Sequence, residues 1–205
     1  MTKENTKPAA TDPVYAAAVS LFEELFRQAR ALDVKETDVM TLATCSRDGH
    51  PTARIVLLRG FDARGFDFYT NSTSCKGQQL SENPQAALCF YWDGLGKQVR
   101  MEGTVLQLAG EASDAYWSRR HRLSQLASAA SLQSQRLDSR ETYERRIADL
   151  DQQLAGDEVA RPQHWYGFRV VPRRIEFWTS AENRMHHRQI YEQTAQGWET
   201  YLLYP

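Results

Sequence analysis

The sequence predicts a mainly β protein with flanking helices (α+β), its strands closing antiparallel into a barrel. Three observations carry this expectation. Between residues 39 and 108, short runs rich in apolar and β-branched residues follow one another at intervals too tight for helical crossovers, which need a dozen or more residues. After Pro162 the same strand-like pattern returns. Ahead of the first block and between the two, apolar residues recur at helical spacing instead.

Taken in order, residues 1–12 are polar and aperiodic, a flexible tail ahead of a single domain spanning 13–205. Asp12-Pro13 supplies an N-cap followed by proline at the first helical position, and Ala18, Leu21, Phe22, Leu25, Ala29 and Leu32 form one face of a helix over roughly 13–32. Residues 39–44 and 52–58 read as a hairpin about Arg47-Asp48-Gly49. A third strand is expected at 66–70, then a polar loop, a short helix at about 76–82, and strands at 86–91 and 98–108. The middle is helical: 111–118, a basic knot at 119–122, and a small-residue run at 124–134. Asp138 with Glu141 resembles a cap for a helix striped by Tyr143, Ile147, Leu150 and Leu154. Four strands then follow at 165–171, 174–178, 184–191 and 198–203.

Composition narrows the function classes. The chain has 205 residues, 41% apolar and 25% charged, with a formal net charge of -1, so no global field draws it to nucleic acid or an anionic membrane. It has no apolar run of the roughly 20 residues that span a bilayer and no apolar signal core, which leads to an expected cytoplasmic location. Cys45, Cys75 and Cys89 are widely spaced without metal-site spacing, so reduced thiols and no metal are expected.

Several segments carry anion-binding chemistry. If Arg184-Met185-His186-His187-Arg188 is extended, Arg184, His186 and Arg188 share one face, a wall suited to an anionic planar ligand; the alternative is a solvated edge strand. Arg54 and Arg59 bracket an otherwise apolar strand, which calls for an anionic partner, either a ligand or a structural carboxylate. The stretch from Tyr69 and Thr70 to Lys76 places hydroxyls, backbone donors and a cation before a helix N-terminus, a plausible phosphate cradle. Tyr116, Arg120 and Ser124, spaced by four, would stack on one helix face as a second phosphate site, and Gln133-Ser134 would complete either one. No Ser/His/Asp pattern and no glycine-rich dinucleotide loop is present.

In combination these residues resemble the pyridoxamine/pyridoxine 5′-phosphate oxidase family from about residue 38 to 205. Its most specific part is Ile175-Glu176-Phe177-Trp178 followed by Arg184-Met185-His186 and Arg188, supported by residues 54–59, 68–71, Gln98-Val99, the Tyr116/Arg120/Ser124 set and Gln133-Ser134. The resemblance implies an FMN-binding split β-barrel forming a homodimer with two FMN sites at its interface. It implies Arg54, Lys76 and Ser134 on the flavin phosphate, and Tyr69, Thr70, Gln98, Gln133, Trp178 and Arg188 on the rest of FMN. Arg59, Tyr116, Arg120 and Ser124 would hold the substrate phosphate, with Arg184 and His186 as the catalytic pair facing the pyridine ring. The implied reaction moves a hydride from C4′ of a phosphorylated vitamin B6 vitamer to the flavin, with dioxygen as final acceptor and hydrogen peroxide as product. Related oxidases acting on phenazine precursors, and a non-catalytic flavin- or pyridoxal-phosphate-binding protein, are the alternatives. Arg59, Cys75, Thr179, His187 and Leu202 depart from the usual family residues.

Overall fold

The computed structural model describes residues 12–32 and 36–205; of the tail expected at 1–12, residues 1–11 lie outside the described residues and Asp12 belongs to the first helix as its cap. Helix α1 (Pro13–Ala31) starts at Asp12, whose Oδ1 accepts the Val14 and Tyr15 amides at 2.9 and 3.4 Å. The other Asp12 oxygen accepts the Trp198 amide at 3.0 Å, so one carboxylate caps the helix and ties it to the last strand. Asp12→Ala is expected to cost about 1–2 kcal/mol, seen as a fall in Tm of roughly 2–8 °C; an unchanged melting curve would remove the cap from the account. The buried face of α1 meets the barrel through Phe22, whose ring lies 4.9 Å from Phe66 and 5.2 Å from Phe90.

The chain forms the expected antiparallel barrel with flanking helices. Strands β1 (Val39–Cys45) and β2 (Pro51–Leu57) make the hairpin. Next come β3 (Gly60–Asp62), β4 (Gly65–Asn71), helix α2 (Cys75–Glu82), β5 (Gln85–Trp92) and β6 (Lys97–Gln107). Helices α3 (Gly110–Trp117), α4 (Arg122–Ala130) and α5 (Arg140–Leu154) precede β7 (Trp165–Thr179), β8 (His187–Thr194) and β9 (Gly197–Leu203). The ladder runs β2-β1-β5-β6-β7-β4-β3, with β8 and β9 branching from β7. Only Leu58 and Arg59 separate β2 from β3. Their amides bond to the Asp38 and Asp67 carbonyls, each at 2.8 Å, which brings the two ends of the ladder together. No helix of the described residues is long and apolar enough to cross a membrane.

Four expectations are corrected. The two strands expected at 165–171 and 174–178 are one strand, because the β6–β7 register shifts between Glu102 and Gly103 and the irregularity lets β7 continue. Upstream of it the even positions Phe168 and Val170 enter the core; downstream the odd positions Ile175 and Phe177 do. A Cβ on Gly103 would stand 2.1 Å from the Val171 carbonyl oxygen, so the crossing needs glycine. The small-residue run stays helical only to Ala130. Helix α5 is capped by Ser139, whose hydroxyl accepts the Thr142 amide at 3.2 Å, rather than by Asp138. Finally, β8 begins at His187, and Arg184 sits in a short turn before it with left-handed backbone at Asn183 (φ 53) and Arg184 (φ 60). The strict alternation that would place Arg184 beside His186 and Arg188 therefore fails at Arg184. Strand β3 was not expected; at three residues it is too short to show periodicity.

Candidate functional site

A cavity of about 500 Å³ opens where the end of β4 meets the α3–α4 junction. Tyr69 and Thr70 reach it from β4, Tyr116 from the end of α3, Ser124 and Ser128 from α4, Gln133 from the following loop, and Arg59 from the link between β2 and β3. The reason expected for the Tyr116/Arg120/Ser124 grouping does not hold, since α3 ends at Trp117 and α4 starts at Arg122. All three nonetheless line this cavity, because the chain turns between the two helices.

One wall is aromatic. The Tyr69 and Tyr116 rings stack at 4.1 Å and 13°, and Trp165, buried at the start of β7, lies 5.2 Å from Tyr69 at 15°. The Arg120 guanidinium sits 4.9 Å over Trp165 and 5.2 Å from Trp117, and its Nη1 donates to the Ser128 hydroxyl at 2.9 Å. Burial, with Arg59 nearby adding repulsion, lowers the Arg120 pKa. Arg59 itself is paired with Asp38 at 2.5 Å.

A second cationic pole lies at the N-terminus of α2. Arg54 Nη1 donates to Thr44 Oγ1 at 2.7 Å and to the Leu42 carbonyl at 3.1 Å, and the guanidinium also reaches the Thr52 hydroxyl. Gln79 Oε1 accepts from both threonines, at 2.5 and 2.7 Å, and so holds their oxygens toward Arg54. Lys76 Nζ donates to Gln133 at 3.0 Å, which joins this pole to the cavity. Burial, then the charge of Arg54, lowers the Lys76 pKa, and burial lowers that of Arg54. Among the described residues no carboxylate pairs with Arg54, Lys76 or Arg120. Half-buried cations that raise each other's cost and lack a counterion form a receptor for anions. The start of α2 adds backbone N–H groups and the positive end of the helix dipole beside these cations, a set that fits a phosphate monoester. Ser134, next in the chain to Gln133, has a left-handed backbone (φ 74).

The remaining candidates lie elsewhere. Gln98, Trp178 and Arg188 pair across β6, β7 and β8 and form one row on the sheet. The His186 ring packs 4.6 Å from Trp178, and its Nδ1 accepts the Ala181 amide at 3.2 Å. Arg188 Nε donates to Glu176 at 2.7 Å. None of these residues, nor exposed Arg184, lines the cavity of the same chain. The candidates thus form two groups: a cavity with two cationic poles, and a separate row on the sheet. Sequence reasoning missed Trp165 and Ser128, which have no spacing relation to Tyr69 or Arg120. It also left Glu176 without a role, although a carboxylate inside Ile175-Glu176-Phe177-Trp178 was a visible signal. No cluster of His, Cys, Asp or Glu among the described residues could hold a metal ion.

Residues 25–154 match the family described as pyridoxamine 5′-phosphate oxidase, and 165–205 match the pyridoxine 5′-phosphate oxidase C-terminal dimerisation region. A pyridoxine/pyridoxamine 5′-phosphate oxidase of Myxococcus xanthus (strain DK1622) is 50% identical over 187 residues, covering 91% of each chain. That of Alkalilimnicola ehrlichii is 50% identical over 190 residues, 92% of this chain and 97% of the relative. Among solved structures, PhzG from Burkholderia lata 383 in complex with tetrahydrophenazine-1-carboxylic acid superposes with a TM-score of 0.87 at 30% identity, covering 100% of this chain and 97% of its own. With half its residues shared with oxidases along nearly their whole length, the chain belongs to the pyridoxamine 5′-phosphate oxidase family.

Proposed function

We propose that the chain is an FMN-dependent oxidase that converts pyridoxamine or pyridoxine 5′-phosphate to pyridoxal 5′-phosphate, with dioxygen as electron acceptor and hydrogen peroxide as product. The observation that carries this reading is an aromatic-walled cavity holding Arg120, joined through Gln133 to a second pole of Arg54 and Lys76, none of the three cations paired with a carboxylate among the described residues, which matches a reaction whose cofactor and substrate each carry a phosphate. Bound FMN supplies the two-electron acceptor. Arg54, Lys76 and Ser134 hold its phosphate, with Tyr69, Thr70 and Gln133 beside it. Arg120, Tyr116, Ser124 and Arg59 clamp the substrate phosphate, which fixes the distance from that anchor to the reacting carbon.

The second group, Gln98, Trp178, Arg188, Arg184 and His186, completes the site from another copy of the chain. The match to a dimerisation region supports a homodimer, and so does the exposed Tyr91 on β5, directly opposite Gln98. His186 Nδ1 accepts a backbone amide, which leaves the ring proton on Nε2, so neutral His186 presents a donor to the substituent on the pyridine ring. Arg184 orders that ring over the flavin. The enzyme acts in the cytoplasm, without nucleic acid or membrane as a partner.

The test is oxygen uptake by FMN-loaded protein with phosphorylated and unphosphorylated B6 vitamers, alongside sedimentation. Uptake confined to the phosphorylated amine or alcohol, by a dimer, is expected. The PhzG likeness supplies a competitor: preferential turnover of tetrahydrophenazine-1-carboxylic acid would replace the proposed substrate. Protein that cannot be loaded with FMN would overturn both.

A further inference from the structure

We infer that Glu176 is the positioning residue that aims Arg188 at the flavin, an inference that rests on the oxidase reading above. Glu176 lies on the middle of three adjacent strands, opposite Arg100 on β6 and two residues along the ladder from the position opposite Arg188 on β8. Its side chain is 3% exposed, yet it sits among charged groups rather than in the apolar core. One oxygen accepts from Arg188 Nε at 2.7 Å and the other from Arg100 Nη1 at 3.4 Å.

The choice of nitrogen matters. Anchoring at Nε fixes the plane of the guanidinium, and a bond from Nη1 to the Tyr204 carbonyl at 3.1 Å fixes its rotation. Nη2 has no partner among the described residues, and the Arg188 side chain remains 25% exposed. Arg188 is therefore held by its inner edge and presents its outer edge, with the flexibility of a long side chain removed before any ligand arrives. Glu176 carries a cost of burial that Arg188 and Arg100 offset. Holding the three strands together would need only the Arg100 contact or an apolar residue; it would not need the carboxylate directed at Nε.

The experiment titrates FMN into apoprotein, following quenching of flavin fluorescence, with melting of each apoprotein recorded in parallel. Glu176→Gln, which keeps an acceptor but removes the charge that holds Arg188 Nε, is expected to weaken FMN binding about tenfold, equivalent to about 1.4 kcal/mol. Arg100→Gln, which leaves the Glu176–Arg188 contact in place, should change it less than about twofold. In an Arg188→Gln background the Glu176 change should add almost nothing, because the residue it positions is gone. Should Glu176→Gln fail to fold, Glu176→Asp, which keeps the charge and shortens the reach, is expected to show the same loss. FMN affinity unchanged in the folded Glu176 variant, additive losses in the double variant, or an equal loss in Arg100→Gln would each overturn the assignment. Failure of the unaltered chain to bind FMN would overturn the oxidase reading, and this inference with it.

Discussion

Replacing Arg120 with alanine is expected to raise the KM for a phosphorylated substrate by about 100-fold while FMN affinity stays within about twofold of the parent. Arg120 has no carboxylate partner among the described residues, and burial already disfavours its charge, so an incoming phosphate supplies the compensation it lacks. Its stacking on Trp165 and Trp117 and its bond to Ser128 hold the guanidinium in place, so Arg120→Lys, which keeps the charge and loses the fork and the stacking, should fall between the two. Steady-state kinetics on the phosphorylated vitamers, set beside FMN titrations, decide the matter. Equal losses of substrate and flavin binding would merge the two cationic poles into one site.

Gly77→Ala should destabilise the protein by about 3 kcal/mol and loosen FMN at the same time. A Cβ there would stand 2.3 Å from the Ser72 carbonyl oxygen and 2.6 Å from Ser72 Cα, backbone atoms that cannot swing aside. The loop ahead of α2 would have to move, taking Ser74, whose hydroxyl caps the helix, and the adjacent Lys76 away from Arg54. Urea unfolding and FMN titration on the same variant would show both losses together; a variant of parental stability and affinity would show that the loop is not held this tightly.

Much of the fold was legible because period and turn chemistry agree along the chain. The hairpin about Arg47-Asp48-Gly49, the amphipathic α1 and the paired β5 and β6 each satisfy a local rule. What was illegible depends on tertiary context. The continuity of β7 rests on a register shift against β6, and the end of α4 at Ala130 falls within a run of small residues that carry no stop signal. The candidate site divides the same way. Anion-binding residue types are visible in one dimension, but the stacking of Tyr69, Tyr116 and Trp165, residues far apart in the chain, is not. Arg184 was misplaced for a related reason: left-handed backbone at two consecutive non-glycine residues has no reliable composition cue.

The irregularity in β7 acts like a shift of reading frame. Before it, the barrel core takes the even-numbered Phe168 and Val170; after it, the odd-numbered Ile175 and Phe177. Were Arg173 instead drawn into regular pairing, so that one frame ran throughout, the downstream half would turn Glu176 and Trp178 inward and Ile175 and Phe177 out to solvent. The signature residues are thus defined by their parity relative to that extra residue as much as by their identity, and Arg173 itself, whose side chain is 65% exposed, serves as the spacer that sets it.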